Sequence, residues 1–192
     1  MDKYKKSIGE LAKENPTKTY KELEQMREMA ITTINNRTTK TEVDMWRLTA
    51  DTNTGTDGDV TSNWERVDTD GFGKIGTGLT ESSGIFTFPS TGVYLITAIG
   101  NVDGDNADLN AVFELHTTED NSSYDHASCN GFGNGSASDI RSNVSLQFMF
   151  DVTSTTTHKF KFATASFATS TALRGNTALS ETCFSCTRLG DT

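Results

Sequence analysis

Over residues 144–150, Val144, Leu146, Phe148 and Phe150 alternate with Ser145, Gln147 and Met149. A period of two places successive side chains on opposite faces of an extended chain, so this stretch is a strand with one face buried. The pattern recurs. Phe160 and Phe162 alternate with Lys159 and Lys161, and Ala111, Phe113 and Leu115 alternate with Val112, Glu114 and His116. Val93 to Ile96, with Ala98 and Ile99, is apolar on both faces, as in a strand covered on both sides. Runs near 44–50, 75–79, 84–88, 92–100, 109–117, 126–132, 142–151, 158–164 and 182–189 are separated by Gly, Asp, Asn and Ser clusters. Eight to ten short strands without helical periodicity predict an all-β domain, a sandwich of jelly-roll type. The 31 threonines of the chain fit that expectation, because β-branched residues suit strands.

The first 40 residues are different in kind. Tyr4, Ile8 and Leu11 have helical spacing and predict a short helix over about 2–14, interrupted by Asn15-Pro16. Thr19 followed by Glu22 reads as a capping box opening a second helix over about 19–35. Its stripe of Leu23, Met26, Ala30 and Thr33 or Ile34 is too short for a coiled coil and needs a partner surface. That surface is either the chain's own domain, another protein, or a trimerising stalk; an attachment face would use Tyr20, Leu23, Met26, Ala30 and Ile34. The polar stretch 35–40 reads as a linker. The expected organisation is a helical attachment segment at 1–40 and a head at 41–192.

Charge follows the same division. Residues 1–40 carry a net +3 and residues 41–192 a net −12, within a chain total of −9. A body this acidic repels phosphate backbones, which argues against nucleic-acid binding. No run approaches the roughly 20 apolar residues needed to cross a bilayer as a helix, and no apolar segment follows Lys3, Lys5 and Lys6, so no secretory signal is expected. Eleven Phe and two Trp can supply a core, which excludes wholesale disorder.

Several constellations imitate chemistry. Gly71-Phe72-Gly73-Lys74-Ile75-Gly76 matches the dinucleotide glycine spacing, but no apolar strand feeds it and no helix follows, so it reads as a loop. Asp103, Asp105 and Asp108 crowd three carboxylates on one turn, with Asp57 and Asp59 a weaker echo; the missing glycine at the sixth position rules out an EF-hand. His116, His126 and His158 are each expected to stand alone, none at metal-ligand spacing with another, and read as surface or satisfied residues. Glu119-Asp120 falls in a Ser/Asn-rich turn, poorly suited to a fixed acid–base geometry. Asn-x-Ser/Thr triplets start at Asn36, Asn121, Asn134 and Asn143. Cys183 and Cys186, three apart on a strand, point to opposite faces; with Cys129 they read as structural thiols, a Cys129 disulfide being the other possibility. No catalytic residue is expected.

Leu79, then Phe86 and Phe88, then Gly92-Val93-Tyr94 with Ile96 form the most informative stretch. It resembles the signature of the globular head of complement component 1 subunit q, and Cys183-Phe184-Ser185 before Arg188-Leu189 is similar to that family's closing strand. The family shares the trimeric jelly roll of tumour necrosis factor. Lys74 and Ala98 depart from the family pattern and no collagen repeat precedes the head, which sets the chain apart from animal complement proteins. In style it is similar to the heads of this type in tailed-phage virion proteins. The resemblance implies a homotrimer in which Phe86, Phe88, Tyr94, Ile96 and Phe184 fill the core while Val93, Leu95 and Ile99 face the three-fold neighbour. It implies calcium near the trimer apex as the one candidate ion, held by Asp103, Asp105 and Asp108, and no other cofactor. The functional expectation is a non-enzymatic virion protein, assembled in the host cytoplasm, that decorates a capsid or forms a fibre. It would dock on a capsid or tail protein through residues 1–40, without membrane insertion. A soluble lectin-like or receptor-binding module, meeting a host-surface glycan, is the alternative.

Overall fold

Two helices open the chain, and each is held at its start by the same device. The computed structural model describes residues 7–38, 41–104, 110–133 and 140–192, the side chains of 34–38 apart. Helix α1 spans Ile8–Glu14; the Ser7 hydroxyl accepts from Glu10 N, and Ser7 N donates to the Glu10 carboxylate at 2.7 Å. Helix α2 spans Tyr20–Thr38, and Thr19 N donates to the Glu22 carboxylate at 2.7 Å in the capping box expected from the sequence. That hydrogen bond holds the Glu22 carboxyl below its ordinary pKa. Asn15 closes α1, with both its backbone N–H and its side-chain amide donating to Leu11 O. Expected at residue 2, the first helix begins at Ile8, and Tyr4 lies outside the described residues. The second runs through 35–38, which the sequence assigns to a linker. Polar Asn and Arg do not stop a nucleated helix, since adding one residue costs little compared with starting a turn. Among the described residues, no helix is long and apolar enough to cross a membrane.

Residues 1–41 form one compact unit and 42–192 a second. The second is a sandwich of two six-stranded antiparallel sheets. Its strands are β1 (Val43–Leu48), β2 (Gly58–Asp59), β3 (Trp64–Arg66), β4 (Thr80–Ser82), β5 (Ile85–Thr87), β6 (Gly92–Gly104), β7 (Ala111–Thr118), β8 (Asp125–Phe132), β9 (Ile140–Val152), β10 (Lys159–Ala165), β11 (Ala172–Leu173) and β12 (Cys183–Gly190). One sheet holds β9, β6, β11, β12, β1 and β3; the other holds β8, β7, β10, β2, β5 and β4. The pairings nest: β1 with β12, β5 with β10, β6 with β9, and β7 with β8. A long hairpin folded over on itself in this manner is a jelly roll, the architecture expected from the strand pattern.

The expected strand at 75–79 does not form. Ile75 makes one bridge to Val43, and Gly76 and Gly78 then turn through positive φ. This glycine-rich loop folds over two buried carboxylates: Gly78 N donates to Glu42 at 2.9 Å and Leu79 N to Asp44 at 2.8 Å. Asp44 also accepts from Trp46 Nε1 and from the Arg66 guanidinium. The backbone N–H groups of Gly78 and Leu79, just past the dinucleotide-like Gly71–Gly76 run, thus serve protein carboxylates.

Phe86 sits at the centre of the core, fully buried. Its ring is 4.7 Å from Phe184 of the opposite sheet, 5.1 Å from Phe160, and 5.5 Å from both Trp46 and Trp64. Edge-to-face and offset contacts of this kind add about 0.5–1.5 kcal/mol per pair beyond simple burial. Phe88, Tyr94 and Ile96 are buried with it. Gly100 stands within β6 because a Cβ there would come 2.7 Å from the Phe113 ring.

Candidate functional site

Strand β6 divides its residues by parity. Tyr94, Ile96 and Ala98 face the core, while Val93 and Leu95 are half-buried and Ile99 is 41% exposed on the other face. Register extends that outer face sideways: Leu95 lies between Met149 of β9 and Thr187 of β12, Thr97 between Gln147 and Ser185, and Ile99 between Ser145 and Cys183. Met149 is 63% and Leu189 55% exposed. Leu95, Gln147, Phe148, Met149 and Leu189 line an open depression of about 380 Å³. The middle of the face carries Thr97, Gln147, Ser145, Ser185 and Thr187, without a charge; charges return at its borders with Asp151, Asp103 and Arg141. Depletion of charge around exposed apolar side chains is the composition of an interface core.

The turn leading into this strand explains the motif read in the sequence. The Tyr94 phenol donates to Ser90 O at 3.0 Å and meets the Ser90 hydroxyl at 2.9 Å, closing the Pro89–Thr91 corner. Its ring packs 4.6 Å from Phe88. Gly92 adopts φ 143°, and a Cβ there would collide with the Arg188 guanidinium and Gly190 O. Arg188 is itself buried, donating to Thr91 O at 2.8 Å and to Asp191 at 2.6 Å. Phe-x-x-x-x-x-Gly-x-Tyr therefore encodes a corner clamped between the core and the last strand.

This geometry has counterparts. No family model matches the sequence, and no curated protein matches it. Among solved structures, murine APRIL at pH 5.0 superposes with a TM-score of 0.57 at 14% identity, over 78% of this chain and all of that one. Eiger, a tumour necrosis factor (TNF) protein of S. frugiperda, gives 0.58 at 12% identity, over 79% of this chain and 94% of that one. The head is a TNF-like jelly roll. At 12–14% identity, the likeness is one of fold.

Of the other expected sites in the TNF-like head, Asp103 is met by Arg141 at 3.3 Å and Arg174 at 3.6 Å. Two guanidiniums thus offset the charge that made a cation attractive there; Asp105 and Asp108 lie outside the described residues. Phe184 lies in the core. All three cysteines are free. Burial raises the pKa values of Cys183 and Cys186, Asp44 adding to the effect at Cys186. In the leading unit, Leu23 is 3% exposed, so its contacts are already made within the chain and it is no part of an attachment face. Tyr20, at 68%, and Met29, at 62%, are the large exposed apolar groups of α2; Met26 is half-buried, Ala30 exposed, and the Ile34 side chain lies outside the described set.

The histidines give the clearest correction. His158 is a satisfied core residue, stacked on Phe150 and hydrogen-bonded to Thr153 and Thr157. His116 and His126 do not stand alone: they pair across β7 and β8, with ring centroids 4.2 Å apart, and both face Glu114. Ten residues apart in sequence, they match no ligand spacing; a bulge in the ladder brings them together. The alternation of Val112, Glu114 and His116 on one face was the available signal for half of the cluster.

Proposed function

We propose that this chain is a non-enzymatic, homotrimeric structural protein of a virion, with a TNF-like head and a leading segment that docks on a capsid or tail protein. The observation that carries the reading is the outer face of β6, β9 and β12. Ile99, Met149 and Leu189 are exposed there, with Val93 and Leu95 half-buried beside them, amid uncharged neighbours on the flank built from the long strands β6 and β9. Apolar patches of this kind mark interaction surfaces, and a three-fold axis covers three of them with three copies of the same chain. The leading unit supports the docking role through charge and exposure. It carries a net +3 against the head's −12, and α2 leaves Tyr20 and Met29 in solvent.

Sedimentation equilibrium tests the assembly. A trimer is expected at micromolar concentration, and Leu95→Arg is expected to give a folded monomer. A wild-type chain that sediments as a monodisperse monomer overturns the reading. Docking is tested by adding the head without residues 1–41 to purified parent particles. Loss of binding supports a virion anchor. Undiminished binding removes it, and saturable glycan binding by a head whose full chain ignores particles favours a recognition module instead.

A further inference from the structure

We infer that Glu114, His116 and His126 form a binding site for a divalent transition-metal ion of the zinc type, on the outer face of the β8–β7–β10 sheet. It lies on a different sheet from the β6, β9 and β12 flank. His116 Nε2 lies 2.9 Å from Glu114 Oε2, and His126 Nδ1 lies 3.6 Å from Glu114 Oε1. One donor atom from each residue falls within 4.8 Å of the others. Donors held 2.0–2.1 Å from a tetrahedral zinc ion stand about 3.3 Å apart, and the 2.9 and 3.6 Å contacts, one to each carboxylate oxygen, lie on either side of that spacing. Two imidazoles and a carboxylate suit zinc, copper or nickel and are poor partners for calcium or magnesium, which select oxygen.

The construction of the sheet explains the convergence. Glu114 and His116 share a face because they are two apart on β7. His126 comes to that face only through the bulge between Leu115 and His116 in the β7–β8 ladder. Leu115 pairs with Ser128, yet His116 pairs with His126 and skips Ala127. In an unbroken ladder Ala127 would oppose His116, and His126 would point to the core side; bulges re-aim side chains in this way.

Charge balance points the same way. The Glu114 side chain is 12% exposed, and its ion-pair partners among the described residues are the two histidines. Lys161, which lies opposite His116 on β10, is engaged by Asp59 at 2.7 Å and sits over the Tyr124 ring. A largely desolvated carboxylate that among the described residues pairs with imidazoles, and with no lysine or arginine, attracts a cation with nitrogen affinity. The His126 side chain is 64% exposed, which leaves an entry path and a coordination position for water. An ion held there would tie the edge strand β8 to β7. Cys129 lies across from Glu114 in register, but its sulfur is not one of the clustered donors.

Calorimetric titration of the untagged full chain with zinc chloride, after treatment with a chelator, tests the site. One ion per chain is expected, with a rise in thermal midpoint that EDTA reverses. His126→Ala, at an exposed position, and His116→Ala are each expected to weaken zinc binding by at least about 100-fold, since disturbing even outer-shell partners costs 10–100-fold. Cys129→Ser is expected to leave affinity unchanged, and the cobalt-loaded chain to lack a thiolate charge-transfer band. Absence of zinc binding, unchanged affinity in folded His126→Ala, or loss of binding in Cys129→Ser overturns the assignment.

Discussion

Helix α2 and strand β7 show two ways of holding a chain in place. Across the 19 residues of α2, Leu23 alone among the described side chains is buried, whereas six of the eight residues of β7 are. The helix depends on its own neighbours in sequence: capping at Thr19 and Glu22, and hydrogen bonds four residues apart. The strand depends on residues far along the chain, with β10 on one side, β8 on the other, and the aromatic core beneath. Locally held elements are marginal in water unless they find a surface. A locally held leading unit and a densely packed head are what the proposed docking role calls for.

The largest test of that contrast is Phe86→Ala. Removing the ring that Trp46, Trp64, Phe160 and Phe184 surround should destabilise the head by roughly 3–5 kcal/mol, read by urea denaturation. A loss below about 1 kcal/mol would show that the core collapses around the gap and that the head is less tightly packed than its geometry.

Alkali should come next, and again in the head alone. The folded-state pKa values of Cys186 and Cys183 are raised by burial, as is that of the Tyr94 phenol. A raised folded-state pKa means the stabilisation is complete below the unfolded thiol's value of about 8.5. It declines as pH climbs above that and is gone once pH passes the folded value. Stability should therefore fall from about pH 8.5 upward, and Cys186→Ala should flatten the decline. An equal slope in the variant would remove Cys186 as the cause.

Thr19→Ala probes the other region. Loss of the cap should cost about 1 kcal/mol, visible as reduced helical circular dichroism with the head's unfolding midpoint unchanged. A shifted head midpoint would break the separation between the regions. The smallest expected effect is that of deleting residues 1–41, which should alter head stability by less than about 0.5 kcal/mol, the range of changes remote from core features. A larger loss would mean that the helices serve the head rather than a partner.

Legibility follows the same contrast. The capping box at Thr19, the corner from Phe86 to Tyr94 and the alternation over 144–150 could all be read directly, because each is a pattern within a dozen residues. The short strands β2, β3, β4 and β11 escaped, since two or three residues carry no period and pair only because a longer strand offers them an edge. Ile75 to Leu79 looked like a strand but became a loop, because Glu42 and Asp44 needed backbone donors when they were buried.

Strand period, helix caps and the division near residue 40 are written in the order of the amino acids, because steric limits and hydrogen bonding act between near neighbours. The apolar flank around Leu95 and Met149 and the meeting of His116 with His126 are not. They depend on which strands lie side by side and on one extra residue in a ladder. Those are choices made by the packing of the whole head, where a shift of a single position carries a side chain from one face to the other.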